Sequence, residues 1–114
     1  MIDFRKAITE RVLVLDGAIG TLLQERGLPP GGCPEEMNRV APDAVIGIHA
    51  EYAAAGADIL VANSFGGNRA KLGHYGLEEA VDELNRRAVE LARQAGGEQT
   101  FIGGSVGPTG RFVE

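Results

Sequence analysis

Tryptophan is missing from this sequence, and aromatic residues make up only 5% of its 114 residues. A core of large flat rings is excluded, so the interior must be built from Val, Ile, Leu and Ala. Cysteine occurs once, as Cys33. A single thiol forms no internal disulfide, which fits a reducing compartment. Cys33 also has no second Cys and no His at ligand spacing, so it is not read as a metal ligand. No apolar run approaches the roughly 20 residues that span a bilayer. The opening Met1–Lys6 lacks the long apolar stretch of a secretion signal. The expected location is cytoplasmic, with no membrane partner. Positive charge is scarce: 11 Lys and Arg face 16 Asp and Glu, for a net charge of −5. The basic residues are scattered among acids, and nucleic acid is not expected as a partner. No lysine precedes Thr21, so the glycine-rich stretch before it is not a Walker A loop. No Ser-His-Asp or Cys-His arrangement is supported by spacing.

Glycine is abundant instead, at 17 residues. The glycines gather in turns near expected strand ends rather than in a repeat. Residues 3–10 read as a short lead-in helix with Phe4 and Ile8 on one face. The run Val12-Leu13-Val14-Leu15 reads as a strand buried on both faces, as in a parallel sheet covered by helices. A loop over Asp16–Thr21 follows, then a helical turn or two to Arg26, stopped by Gly27. Leu28–Gly32 is irregular, and Pro34–Val40 holds another helical turn. Pro42 suits the first turn of a helix, and Asp43 suits its dipole. Val45, Ile48, Tyr52 and Ala55 form the apolar stripe of that helix, and Gly56 stops it. His49 lies off the stripe and is expected at the surface or rim. Residues 58–62 read as a second strand and Asn63–Gly67 as its loop. His74 and Tyr75 fall in a loop-like stretch, with His74 structural or solvated. Leu77, Val81, Leu84, Ala88, Leu91 and Ala95 mark a long amphipathic helix. Residues 100–104 read as a third strand, with a loop over 105–110.

Strand, helix, strand, helix, strand implies two βαβ units on a parallel sheet. The pattern alone does not separate part of a (β/α)8 barrel from a small open doubly wound sheet. Both place their chemistry at the C-terminal ends of strands. The three polar, glycine-rich loops lie there. Asp16 either pairs with an ammonium group in a partly desolvated pocket or caps the short helix after it. Gly17 and Gly20 allow close backbone approach. The amides from Gly17 through Ala18, Ile19 and Gly20 offer a seat for a carboxylate. An acid beside free amides suits an amino acid, which carries both charges. Asn63 and Ser64 supply neutral hydrogen-bonding groups. Phe65 either walls an apolar side chain or packs in the core. Ser105, Gly107 and Thr109 either line the same mouth or form a turn.

Three segments carry a likeness to a known family. Leu15–Gln24 resembles the opening motif of the homocysteine S-methyltransferases. Gly56–Gly66, ending in Asn63-Ser64-Phe65, resembles the family's second-strand motif, and Gly104–Gly110 its third-strand motif. Glu35-Glu36-Met37-Asn38, Ala41-Pro42-Asp43 and Tyr75–Glu78 look most like the cobalamin-dependent methionine synthase branch, with betaine-type and other stand-alone members as neighbours. The resemblance implies that residues 1–114 are the first part, about three strand–helix units, of a (β/α)8 TIM barrel. It implies homocysteine as substrate and methyl transfer forming methionine within a larger polypeptide. The other partners would be the rest of the barrel and the cobalamin and folate modules. The implied substrate-binding residues are Asp16, Gly17, Ala18, Ile19, Gly20, Asn63, Ser64 and Phe65. Zinc and cobalamin are implied for the full-length protein, with zinc on three cysteines of later strands, beyond Glu114. No catalytic and no metal residue is expected within this chain, and the chain alone is expected to be inactive. Two other readings stand beside this one. The first is an open α/β domain that binds a phosphorylated ligand at Gly103–Gly110. The second is a non-catalytic fragment that self-associates to cover the open edge of its third strand.

Overall fold

The structure, a computed structural model, describes residues 2–112. Glu114, beyond which the resemblance puts the zinc cysteines, lies outside the described residues. Asp3 caps the first helix, α1 (Phe4–Glu10), by accepting from the Lys6 amide. An extended segment follows and leads to the short helix α2 (Gly20–Glu25). A 3-10 turn at Pro34–Glu36 runs into α3 (Met37–Val40). Pro42 opens α4 (Pro42–Ala54), where its missing N–H costs nothing. Gly56 follows at φ +107°, a conformation that other residues rarely adopt. Strand β1 (Ile59–Val61) comes next, then α5 (Arg69–Gly73). The long helix α6 (Val81–Gly96) leads to β2 (Phe101–Gly103).

β1 pairs parallel with β2, Leu60 opposite Ile102. On the other side of β1, Leu15 forms a parallel bridge with Ile59. The sheet order is therefore the order of the chain. Two carboxylates bracket the pairing of the extended segment with β1. Asp58 Oδ2 accepts the Val14 amide at 2.9 Å at one end. Asp16 Oδ2 accepts the Val61 amide at 3.0 Å at the other. Arg11 pairs with the second oxygen of Asp58 at 2.9 Å. The Asp58 carboxyl is held below its usual range by the Val14 amide and by Arg11.

The helices cover one face of this sheet. Leu60, Leu84 and Ala88 are buried there, and α4 packs along α6. One apolar cluster joins Leu23, Leu28, Met37, Val45, Ile48 and Leu91; a second joins Cys33, Leu72, Ala80 and Leu84. On the opposite face Phe4 of α1 meets Phe101 edge to face, with centroids 5.2 Å apart. The rest of that face is open.

The expected first strand is corrected by this arrangement. Its backbone is extended and paired, but only at Leu15, and it is not buried on both faces. Val12 is 87% exposed and Leu15 57%. An unbroken apolar run signals burial on both faces only when both faces have a covering layer; Val14 at 55% and Leu15 at 57% exposure point to opposite faces, so neither face of this outer segment is fully covered. His49 is a second correction. It is 1% exposed, not at a rim, and neither ring nitrogen has a hydrogen-bond partner among the described residues. α4 is wedged between other elements, so its buried arc is wider than the expected stripe. The long helix begins at Val81, after a 3-10 turn at Glu78–Ala80, not at Leu77. Helix α5 is absent from the expected elements. Its signal is Asn68, whose side chain caps it by accepting the Lys71 amide at 2.8 Å. His74 ends α5 and is exposed, in line with the solvated reading.

Candidate functional site

A cleft of about 440 Å³ opens at the C-terminal end of the strands. One stretch of its wall is Gly17–Gly20, and another is Val61–Phe65. Pro34, Glu35 and Ser105 complete it. Seven of the eight expected substrate-binding residues thus share one cavity. The eighth, Asp16, lies beside it through the bond to the Val61 amide.

Asp16 enters no cap. α2 has Ile19 at its N-cap position, without a side-chain hydrogen bond. The carboxylate is engaged through Oδ2 alone, and Oδ1 has no partner among the described residues. Burial raises its pKa, and the bond from Val61 partly offsets that. The amides of Gly17, Ala18, Ile19 and Gly20 donate to no group among the described residues. Gly17 has a steric reason to be glycine, since a Cβ there would sit 2.9 Å from Tyr52 Oη. That phenol donates to Ala18 O at 2.6 Å and holds the loop in place.

Asn63 is buried, and its amide is committed to structure. Its Nδ2 donates to Pro34 O at 2.9 Å and to Asn38 Oδ1 at 3.0 Å. Asn38 Nδ2 in turn donates to Asn63 O and Leu84 O. Carbonyl partners fix which end of each amide is nitrogen. The Asn63 side chain therefore faces the cleft with no free donor, and of its polar atoms only Oδ1 is uncommitted among the described residues. Ser64 Oγ donates to Ser105 O and accepts from Ser105 N, both at 3.0 Å. Its hydroxyl ties the second loop to the third. Phe65 is 60% exposed at the cleft, so it is a wall and not core. Its carbonyl accepts the Gly107 amide at 3.0 Å. Thr109 lies outside the cleft, its hydroxyl accepting from Arg111 N in a local turn.

Sequence reasoning missed Glu35 and Asn38 as parts of the site. Glu35 Oε2 accepts the Gly66 amide at 2.9 Å, and Oε1 accepts from Cys33 Sγ at 3.5 Å. Burial, with Glu35 as a lesser cause, pushes the Cys33 thiol up to about 11. It stays a protonated donor near neutral pH. No group of three His, Cys, Asp or Glu side chains converges to hold a metal among the described residues.

The profile of the homocysteine S-methyltransferases matches residues 13–114. The chain belongs to this family. Methionine synthase from Mycobacterium leprae is 37% identical over 93% of the chain. Methionine synthase from Mycobacterium tuberculosis is 35% identical over the same share. The chain spans 10% of each of these relatives. The homocysteine methyltransferase MmuM from Escherichia coli is similar in structure. Its metallated form superposes with a TM-score of 0.76 at 29% identity, over 91% of this chain and 41% of that one. Its oxidized form gives 0.75 at 30% identity, over 93% and 41%. The fold is thus that of the homocysteine methyltransferases over the part of it present here. No helix among the described residues is long and apolar enough to cross a membrane.

Proposed function

We propose that residues 1–114 form the homocysteine-binding opening of a (β/α)8 barrel, and that the barrel belongs to a larger methionine synthase that methylates homocysteine. One observation carries this reading. In a chain of this family, a carboxylate with a free oxygen lies beside four consecutive unpartnered amides at the C-terminal end of a parallel sheet. The Asp16 carboxylate suits a substrate ammonium group, and the amides of Gly17–Gly20 suit its carboxylate. Phe65 shields the bound side chain from water. Ser64 holds the second loop to the third, and Asn63 and Asn38 hold it to the Pro34 turn and to α6.

Zinc and cobalamin belong to this proposal only through the rest of the protein, with the zinc cysteines placed on strands beyond Glu114. The described side chains do not fit a zinc site: Cys33 is buried, protonated and hydrogen-bonded to Glu35, and no three ligands converge. What this chain contributes is binding and orientation of the amino-acid end. The sulfur chemistry falls to residues elsewhere.

Titration of the chain with homocysteine, followed by amide NMR shifts, tests the proposal. Shifts are expected at Gly17–Gly20 and Val61, with binding weakened about tenfold or more in Asp16→Asn. A chain whose spectrum ignores millimolar homocysteine would defeat the substrate reading. In an assay with methylcobalamin, zinc and homocysteine, the isolated chain is expected to form no methionine; turnover would show that its inactivity was wrongly inferred.

A further inference from the structure

Glu35 is the one buried carboxylate among the described residues, at 6% exposure. It lies between the 3-10 turn and the loop after β1, with Gly66 N–H on one oxygen and Cys33 Sγ on the other. Neither donor carries a charge. Arg11, Arg26, Arg39, Arg69 and Arg87 make the ion pairs of the described residues, and Glu35 takes part in none. Burying a carboxylate without a cation is costly, and such groups are ordinarily matched by one. A carboxylate has about four lone-pair positions, and two are used here. The side chain lines the cleft beside the Gly17–Gly20 amides and Phe65.

The geometry points to Glu35 as a second anionic contact for the primary ammonium of the amino-acid substrate, complementing Asp16. This rests on the substrate reading above. The missing cation then arrives with the ligand. Two carboxylates on one ammonium would also select for it, since a ligand without that group leaves Glu35 uncompensated.

The full chain is titrated with homocysteine and with 4-mercaptobutanoate, which keeps the thiol and carboxylate but lacks the ammonium. Glu35→Gln retains an acceptor for the Gly66 amide and loses the charge together with the acceptor that faces Cys33 Sγ, a change 4-mercaptobutanoate binding also reports. Homocysteine binding is expected to weaken about tenfold in this variant, and 4-mercaptobutanoate binding to stay as in wild type. Equal homocysteine affinity in Glu35→Gln and wild type would overturn the inference and leave Glu35 as a support for the Gly66 loop, with the substrate reading intact. A wild-type chain that ignores homocysteine would take both down. Should Glu35→Gln fail to fold, the 13C carboxyl resonance of Glu35 in wild type decides. It is expected to move with homocysteine and not with 4-mercaptobutanoate; a resonance unmoved by either would overturn the assignment.

Discussion

At Asp16 the demands of folding and of binding diverge. Burial raises its pKa above the ordinary 3.8. A group raised in the fold weighs against stability when ionised, and the penalty lifts as pH falls through the raised value. Asp16→Asn keeps an acceptor for Val61 N–H and removes the charge. We expect equal or higher melting temperature at neutral pH together with homocysteine binding weakened about tenfold or more, a trade of stability for function. A lower melting temperature would mean that the charge itself supports the fold. Gly17 gives a different test. A methyl group there meets Tyr52 Oη, so Gly17→Ala should cost about 1–3 kcal/mol in denaturant titrations. Tyr52→Phe removes the closest contact, and the double variant should lose less than the sum of the singles. Strict additivity would sever the proposed contact.

At the scale of elements, legibility follows the local signals. Pro42, Gly56 and the Leu84–Leu91 stripe mark α4 and α6 because caps and periodicity are written in neighbouring residues. Gly17–Gly20 and Asn63–Phe65 are legible as loops for the same reason. Glu35 and Asn38 escape a sequence reading because their partners, Gly66, Asn63 and Leu84, are distant in sequence. His49 is misplaced by such a reading because helical spacing gives the centre of a buried arc but not its width. Its burial depresses its pKa below 6.5. The unfolded chain then takes up the proton first, so stability is present above 6.5 and drains away as pH falls from there towards the depressed value. Thermal melts from about pH 7.5 to 5 should show this loss in wild type and a reduced slope in His49→Leu. Parallel slopes would mean that His49 titrates alike in both states. The two sheet faces differ as well. Leu60→Ala, on the helix side, should cost about 2–5 kcal/mol, while exposed Leu15→Ala should cost well under half of that.

For the molecule as a whole, the sheet is half clothed. One face is packed by α4 and α6. The other presents Leu15 and a groove of about 650 Å³ beside Phe4 and Phe101. Among the described residues, β2 has a strand partner on one side only. Such an edge pairs readily with other strands. Handled alone, the chain is expected to self-associate at micromolar concentration, with sedimentation showing mass that rises with concentration; a compact monomer throughout would count against this. The sequence pattern predicts the parallel α/β unit, but it does not predict which face remains uncovered. That depends on neighbours that no local period encodes.

The two carboxylates that bracket the first pairing have a further consequence. Asp58 grips Val14 and Asp16 grips Val61, each reaching across to the opposite backbone. A slip of one residue would release both grips together, so the alignment is locked at two ends by side chains rather than by a long ladder. One of those locks is also the proposed seat of the ligand. Occupying Asp16 with a cation would pull on the Val61 amide, and the rate at which that single proton exchanges with deuterated solvent would then record whether the seat is filled.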